Sequence, residues 1–170
     1  TDNGENWTTG TDTSFILTGD GTKNVLVRQT DTAGNTSANA TMSFTLDTTA
    51  PATPTVTPLS TANTQPTITG TVDSTDHAGG FTVTVDGRTY ILGTDASLTV
   101  SGNTWSLDLG KAGQTLAVGA YSVTVTATDQ AGNLATDTTA DEIVITAAQS
   151  EPPPPPPITD TPPIISNPGM

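Results

Sequence analysis

Apolar residues alternate with single polar residues along most of the chain, and the polar positions are mainly threonine, serine and aspartate. The spacing is clearest in the runs 81–86, 105–109 and 121–128. A period of two gives each run one apolar face and one hydroxylated face, which predicts β-strands. Asp86-Gly87, between two such runs, predicts a tight hairpin. No window shows a helical period, so we expect strands throughout.

The chain also contains an internal repeat. The segment TDTAGN at 30–35 returns as TDQAGN at 128–133, an offset of 98 residues, and the same offset places Trp7 on Trp105. A unit of this length suits one β-sandwich domain. Several short strands with frequent turn residues indicate an antiparallel sandwich of the immunoglobulin (Ig) type. The predicted fold class is therefore all-β, with Ig-like sandwich repeats joined by short linkers.

The repeat predicts how the chain is divided. Residues 1–47 contain the second half of one unit, with strands expected at 14–18, 24–30 and 41–46. We expect that this half is not stable without the missing strands, because its apolar side chains would face water. The remaining parts are a junction linker at 48–51, a complete unit at 52–147, a proline-rich linker at 148–157 and a tail at 158–170, which resembles the first strand of a further repeat.

Composition excludes several classes of function. The 170 residues include 17 acidic and 4 basic residues, for a formal net charge of −13, and 39 threonines. This charge repels nucleic acid and disfavours an anionic lipid surface. No apolar run is long enough to span a bilayer, so we expect no membrane insertion. With no cysteine, a single histidine (His77) and no serine in a triad context, the sequence shows no catalytic residues, and we expect no enzyme.

Three segments of the chain carry a resemblance to a known family. The TDxAGN hairpin, the DTTAP motif at 47–51 and the segment TPTVTPLSTANTQPTITGTV at 53–72 are similar to bacterial Ig-like repeats. Such repeats form the giant RTX-type adhesins that Gram-negative bacteria secrete by type I systems. The resemblance covers residues 1–147. It implies a non-catalytic extender segment at the cell surface, associated with the outer membrane, in adhesion and biofilm formation, with neighbouring repeats as its partners.

Acidic residues are predicted to meet at one end of the complete unit. In an Ig sandwich the turn with Asp129 and Asn133, the loop with Asp73 and Asp76, and the incoming linker with Asp47 lie at the same end. Calcium takes six to eight oxygen ligands, including carboxylates. We therefore predict a calcium site from these five residues, which the resemblance also implies. Aspartate and asparagine also favour turns by bonding their own backbone, and this reading stays open.

Two other functions remain open. The first is a glycan- or protein-binding module, which would need exposed aromatic residues, and the sequence offers few candidates beyond Phe81 and Tyr90. The second is an accessory domain of a secreted glycan-degrading enzyme. We expect Trp105 to lie in the core, Tyr121 to act as a tyrosine corner at the start of a strand, and His77 to be solvated in a polar loop.

Overall fold

The computed structural model describes residues 16–75 and 77–149, and its secondary structure is mostly β. Predictions for Trp7, Asp76 and residues 150–170 lie outside the described residues. The elements in chain order are β1 Gly21–Val27, β2 Ala40–Leu46, β3 Thr55–Val56, β4 Leu59–Thr61, β5 Thr67–Thr71, β6 Gly80–Val85, β7 Arg88–Ile91, β8 Leu98–Ser101, β9 Thr104–Asp108, α1 Leu109–Ala112, β10 Gly119–Tyr121, β11 Val123–Thr128, β12 Leu134–Thr136 and β13 Ile143–Ile145.

The strands β1 and β2 form a two-stranded antiparallel sheet, which we call the ribbon. The predicted strand at 41–46 is confirmed, whereas the one predicted at 24–30 begins earlier and ends at Val27. The prediction at 14–18 is wrong for residues 16–18, which are not in a strand. A strand needs a neighbour for its backbone groups, and in the described residues β1 and β2 pair only with each other.

The complete unit, residues 52–147, contains the other sheets. Within the described residues, one sheet has the order β3-β5-β9-β8 and a second has the order β12-β11-β6-β7, and neighbours in both are antiparallel. The short strand β13 pairs antiparallel with β10 and parallel with β4. The predicted strands therefore occur, in antiparallel sheets with one parallel edge pairing.

One hydrophobic core joins these sheets. The strands β6 and β9 alternate between buried and less buried positions, as a period of two requires when one face is covered. Side chains from both four-stranded sheets enter the same buried cluster, and the rings of Phe81 and Trp105 lie 6.2 Å apart between them. The residues with no exposed surface are Ile68, Val83, Val85, Tyr90, Trp105, Leu107, Leu109, Leu116, Val125, Ala127 and Ile143.

Trp105 occupies the centre of the core, as predicted, and a glycine makes room for it. Its indole Nε1 donates a hydrogen bond to the backbone carbonyl of Thr55 at 2.9 Å, which satisfies the one polar atom of the ring. Gly70 lies beside both groups. A Cβ atom on Gly70 would come within 1.9 Å of the Thr55 oxygen and 2.6 Å of the indole nitrogen. The close contact between β5 and the indole therefore depends on glycine.

Two turns show how the chain changes direction. Asp86 and Gly87 form the predicted hairpin between β6 and β7, and both have positive φ (49° and 74°), as a type I′ turn requires. The prediction of strands throughout is wrong at Leu109–Ala112, which form one helical turn. The Asp108 carboxylate accepts a hydrogen bond from the Lys111 backbone at 2.9 Å, and Gly113 ends the turn with φ 66°.

Tyr121 makes the hydroxyl contact expected of a tyrosine corner, but the prediction that it starts a strand is wrong, because it is the last residue of β10. Its hydroxyl donates a hydrogen bond to the backbone carbonyl of Ala117, four residues upstream, at 3.1 Å. This bond fixes the approach to β10, because it ties the connection before the strand to the strand itself. Lys23 occupies the equivalent position in the ribbon, so the ribbon lacks this bond.

Candidate functional site

The two TDxAGN segments form hairpins with the same hydrogen bonds. In the complete unit, one carboxylate oxygen of Asp129 accepts from the Asn133 backbone at 2.9 Å, and the other accepts from the Asn133 side-chain amide at 2.8 Å. In the ribbon, Asp31 accepts the same two bonds from Asn35 at 2.8 Å each. The expectation that these aspartates cap turns is confirmed.

The segment that joins the two parts, residues 47–51, is the junction segment, and the ribbon side holds it through Asp20. One carboxylate oxygen of Asp20 accepts hydrogen bonds from the backbone and hydroxyl of Thr48, at 2.9 and 2.7 Å. Its other oxygen accepts from the Thr49 hydroxyl at 2.5 Å. Asp47 caps the same segment by accepting from the Thr49 backbone at 3.1 Å. Both threonines of the DTTAP motif therefore donate hydrogen bonds to one carboxylate, and these bonds fix the backbone of the junction segment.

The complete unit holds the junction segment through Asn133. The Asn133 side-chain amide donates to the backbone carbonyl of Asp47 at 3.2 Å, while it also bonds Asp129. Pro51, the last residue of the junction segment, and Pro54 are both buried. The chain is therefore packed against the complete unit at the end of the junction segment. Asn133 thus connects the end of the ribbon to the hairpin of the next unit.

The loop before β6 also reaches this end of the complete unit. The Gly79 backbone donates to the Thr128 carbonyl at 2.9 Å, and a Cβ atom on Gly79 would lie 1.8 Å from the Asp129 carbonyl oxygen. The end of the loop at Gly79 therefore lies beside the hairpin, and the predicted meeting of the carboxylates of Asp47, Asp73 and Asp129 stays a prediction. The side chain of Asp73, in contrast, accepts from the backbone and hydroxyl of Thr75 in its own turn, at 2.9 and 2.7 Å.

The prediction that His77 is solvated is wrong. Its Nδ1 lies 2.7 Å from the Asp73 carbonyl oxygen, and its ring meets the ring of Phe81 edge-on at 5.9 Å. The side chain is half-buried, because it covers the edge of the core at the start of β6. His77 therefore helps to shape the loop that carries Asp73.

Hydrogen bonds lower the pKa of four carboxyl groups around the hairpins and the junction. The Asn133 and Asn35 side chains are the main cause for Asp129 and Asp31, whose pKa values lie below 3.8. Thr49 and then Thr48 lower the pKa of Asp20. The Thr75 backbone lowers the pKa of Asp73. All these groups are charged at neutral pH, and hydrogen-bond donors are the main cause of each lowered pKa, with a smaller contribution from Lys23 at Asp20 and from His77 at Asp73.

Most of the carboxylate oxygens predicted to bind calcium at this end of the complete unit already accept hydrogen bonds. Both oxygens of Asp129 accept from Asn133, and Asp73 and Asp47 each accept from their own turns. In residues 16–75 and 77–149, no group of three or more His, Asp or Glu side chains is arranged to hold a metal ion. Asp76 lies outside this part of the chain. The calcium site therefore stays a prediction, and the contacts described above do not depend on it.

The largest aromatic side chains of the complete unit are buried, whereas Phe44, Tyr121 and His77 are half-buried. Phe81 and Tyr90, the two candidates that the alternative of a glycan-binding module had, are 1 % and 0 % exposed. The Tyr90 hydroxyl donates to Gln114, Arg88 lies 4.8 Å above its ring, and burial raises its pKa. Among residues 16–75 and 77–149, no helix is long and apolar enough to cross a membrane.

Sequence reasoning missed Asp20. The residue at the equivalent position of the complete unit is Val118, so the repeat does not mark Asp20 as special. Its role depends on Thr48 and Thr49, which are 28 and 29 residues away in sequence. An aspartate before a glycine reads as an ordinary turn, and only the pairing of β1 with β2 brings it to the junction segment.

Comparison of the sequence with protein-family models found no match, and comparison with curated proteins found none either.

Proposed function

We propose that this chain is a non-catalytic extender segment of a bacterial cell-surface adhesin, outside the cell, whose units are held in line by their junctions. The observation that carries this proposal is the junction segment, which is hydrogen-bonded from both sides. Asp20 holds Thr48 and Thr49 on the ribbon side, and Asn133 holds the Asp47 carbonyl on the other. A linker bonded at both ends loses the freedom that would make it a flexible hinge.

The strand order supports an Ig-like sandwich as the repeating unit. The order β3-β5-β9-β8 corresponds to strands A-B-E-D of that fold, and β11 lies between β12 and β6 as strand F lies between G and C. The short strand β4 pairs in parallel with β13, which also pairs with β10 in a separate three-stranded sheet. The hydroxyl bond of Tyr121 matches a tyrosine corner. Domains of this type can be joined end to end, because their termini lie at opposite ends.

Charge and composition fit the same role. With a net charge of −13, neighbouring copies on a crowded surface repel one another, which keeps the segment extended and soluble. The described residues present mostly hydroxyl and carboxylate groups, and their aromatic rings are buried or half-buried. Such a surface favours spacing over capture of a ligand. The partners of this segment are then the neighbouring repeats, and the adhesive contact belongs to another domain.

Nitrogen-15 relaxation on the 170-residue chain tests the stiffness of the junction. We expect amides of the ribbon and of the complete unit to report one common rotational correlation time. The double variant Asp20→Ala with Asn133→Ala removes both sets of bonds, so the ribbon should then tumble faster than the complete unit. The variant Asn35→Ala is the matched control, since it removes the same side chain from a hairpin that does not bond the junction segment.

Two results would contradict the stiff junction. One is independent tumbling of the ribbon in the unmodified chain. The other is an unchanged common correlation time in the double variant while its melting curve shows that the complete unit is folded. Repeating the measurement with calcium and with a chelator tests the calcium prediction separately. A calcium site would shift the amide resonances of Asp47, Asp73, Asp129 and Asn133, at a dissociation constant of about 10⁻⁴–10⁻³ M, as in extracellular modules.

A further inference from the structure

The ribbon has one apolar face. Residues paired across an antiparallel sheet lie on the same face, and the register pairs Val25 with Met42, Lys23 with Phe44 and Gly21 with Leu46. Together with Val27, most apolar side chains of the two strands therefore lie on one side of the ribbon, whereas Leu26, which pairs with Thr41, lies on the other. Val27 is 56 % exposed and Met42 is 63 % exposed. The opposite side carries mainly threonine, serine and asparagine.

The repeat shows what covers the equivalent face in the complete unit. Val25 and Val27 correspond to Val123 and Val125 at the offset of 98 residues, and these two are 1 % and 0 % exposed. They lie in the same buried cluster as Ile68 of β5 and residues of β9. Hence the β1 part of this face has counterparts in the complete unit that are covered by the sheet β3-β5-β9-β8.

We propose that the apolar face of the ribbon is a docking surface for the early half of a repeat, a β-layer with the strand pattern of residues 52–98. A second copy of this chain does not offer such a layer. Its own Ile68, Trp105 and Leu107 have no exposed surface, because they already pack against β6 and β11. The proposed occupant is therefore an early-half layer whose apolar face is still free, and the exposed ribbon face of a second copy is the competing occupant that the concentration test below addresses.

The offset defines a test by fusion. Residue 1 corresponds to residue 99, so residues 52–98 placed ahead of Thr1 would complete a unit with residues 1–47. The natural chain has no cysteine, which allows a single thiol at a chosen position. Met42→Cys reports on the apolar face. Val118→Cys, at a position 65 % exposed in the complete unit, is the matched control. The probe is a small water-soluble thiol reagent.

We expect labelling of Met42→Cys to slow by about tenfold or more in the fusion, because reaction then requires opening of the docked layer. Labelling of Val118→Cys should not change. The same fusion carrying Ile68→Asp only in the added segment should restore fast labelling, since the charge destroys the face that docks. Deuterium exchange of the β1 amides provides a second readout that does not depend on the cysteine.

Three results would overturn the proposal. The first is an equal labelling rate of Met42→Cys with and without the added segment. The second is equal protection by the Ile68→Asp segment, which would show nonspecific covering. The third is protection of Met42→Cys in the unfused chain as its concentration rises, with a matching dimer in sedimentation, because a second copy would then be the occupant.

Discussion

The two TDxAGN hairpins of this protein have the same turn but different surroundings. Asp31 with Asn35 and Asp129 with Asn133 make the same pair of bonds to within about 0.1 Å, and Gly34 and Gly132 both have positive φ (90° and 96°). Asp129 is only 4 % exposed, whereas Asp31 is exposed. The conformation of the turn therefore depends on local sequence, whereas the burial of its aspartate depends on which residues pack beside it.

A similar contrast holds for the strands that carry the hairpins. The ribbon strands are mostly exposed, while β11 is buried at alternate positions by a second sheet. The apolar pattern is present in both regions, but only the complete unit has the other layer within the described residues. An alternating apolar pattern gives a strand a face that can be buried, but that face is buried only where a second sheet packs against it.

The largest expected effect comes from the core of the complete unit. Trp105→Ala should lower the free energy of unfolding by about 3–5 kcal/mol, because it leaves a large cavity between the sheets. Urea unfolding followed by circular dichroism measures this. Phe44→Ala, on the ribbon, is the control and should leave the transition of the complete unit in place. A loss of stability below about 1 kcal/mol for Trp105→Ala would show that the complete unit does not depend on a buried core that the ribbon lacks.

The close approach at Gly70 gives the next effect. Gly70→Ala should destabilise the complete unit by about 1–3 kcal/mol, since the added Cβ meets the Thr55 carbonyl and the Trp105 indole. Gly110→Ala is the matched control, because its nearest atom is the Asp108 carboxylate at 3.2 Å. Both can be measured in the same urea titration. Equal midpoints for the two variants would show that β5 moves away from the indole without cost.

Removing the aspartate of either hairpin should change the stability of the complete unit less than the core variants do. Asp129→Ala should lower the unfolding midpoint of the complete unit, because the Asn133 backbone and side-chain amide lose their carboxylate acceptor. Asp31→Ala removes the same bonds from the exposed hairpin and should leave that midpoint unchanged. Thermal melts of both variants against the unmodified chain decide this. A matching drop for Asp31→Ala would mean that the ribbon supports the complete unit more than its exposure indicates.

The smallest expected effect is a loosening of the junction at low pH. The pKa of Asp20 lies below its ordinary 3.8 because Thr49 and Thr48 donate to it. A lowered pKa in the folded state means that the bonds contribute fully above the unfolded pKa and are lost as pH falls below 3.8 towards the folded value. Nitrogen-15 relaxation should therefore be constant from pH 7 to about pH 5 and should show faster ribbon motion below pH 3.8. Loosening already near pH 6 would point to another group.

Much of the fold follows from local sequence. Alternation predicted the strands of the complete unit, Asp86-Gly87 predicted its hairpin, and the aspartate and asparagine of TDxAGN predicted the capped turns. The errors have a common cause. Residues 16–18 extend a short apolar run and Leu109 continues an alternating pattern, but the first have no neighbouring strand in the described residues and the second lies in a helical turn begun by Asp108. Hydrophobic periodicity indicates which face of a strand is apolar, but it does not indicate which strands pair with each other.

The sequence by itself determined the strands, the turns and the repeat, because these depend on side-chain chemistry within a few residues. The tertiary structure alone decided what the site residues do. It brought Asp20 to Thr48 and Thr49, joined Asn133 to the Asp47 carbonyl and buried Phe81 and Tyr90. Contacts between residues tens of positions apart depend on strand pairing and sheet packing, and a single sequence records neither.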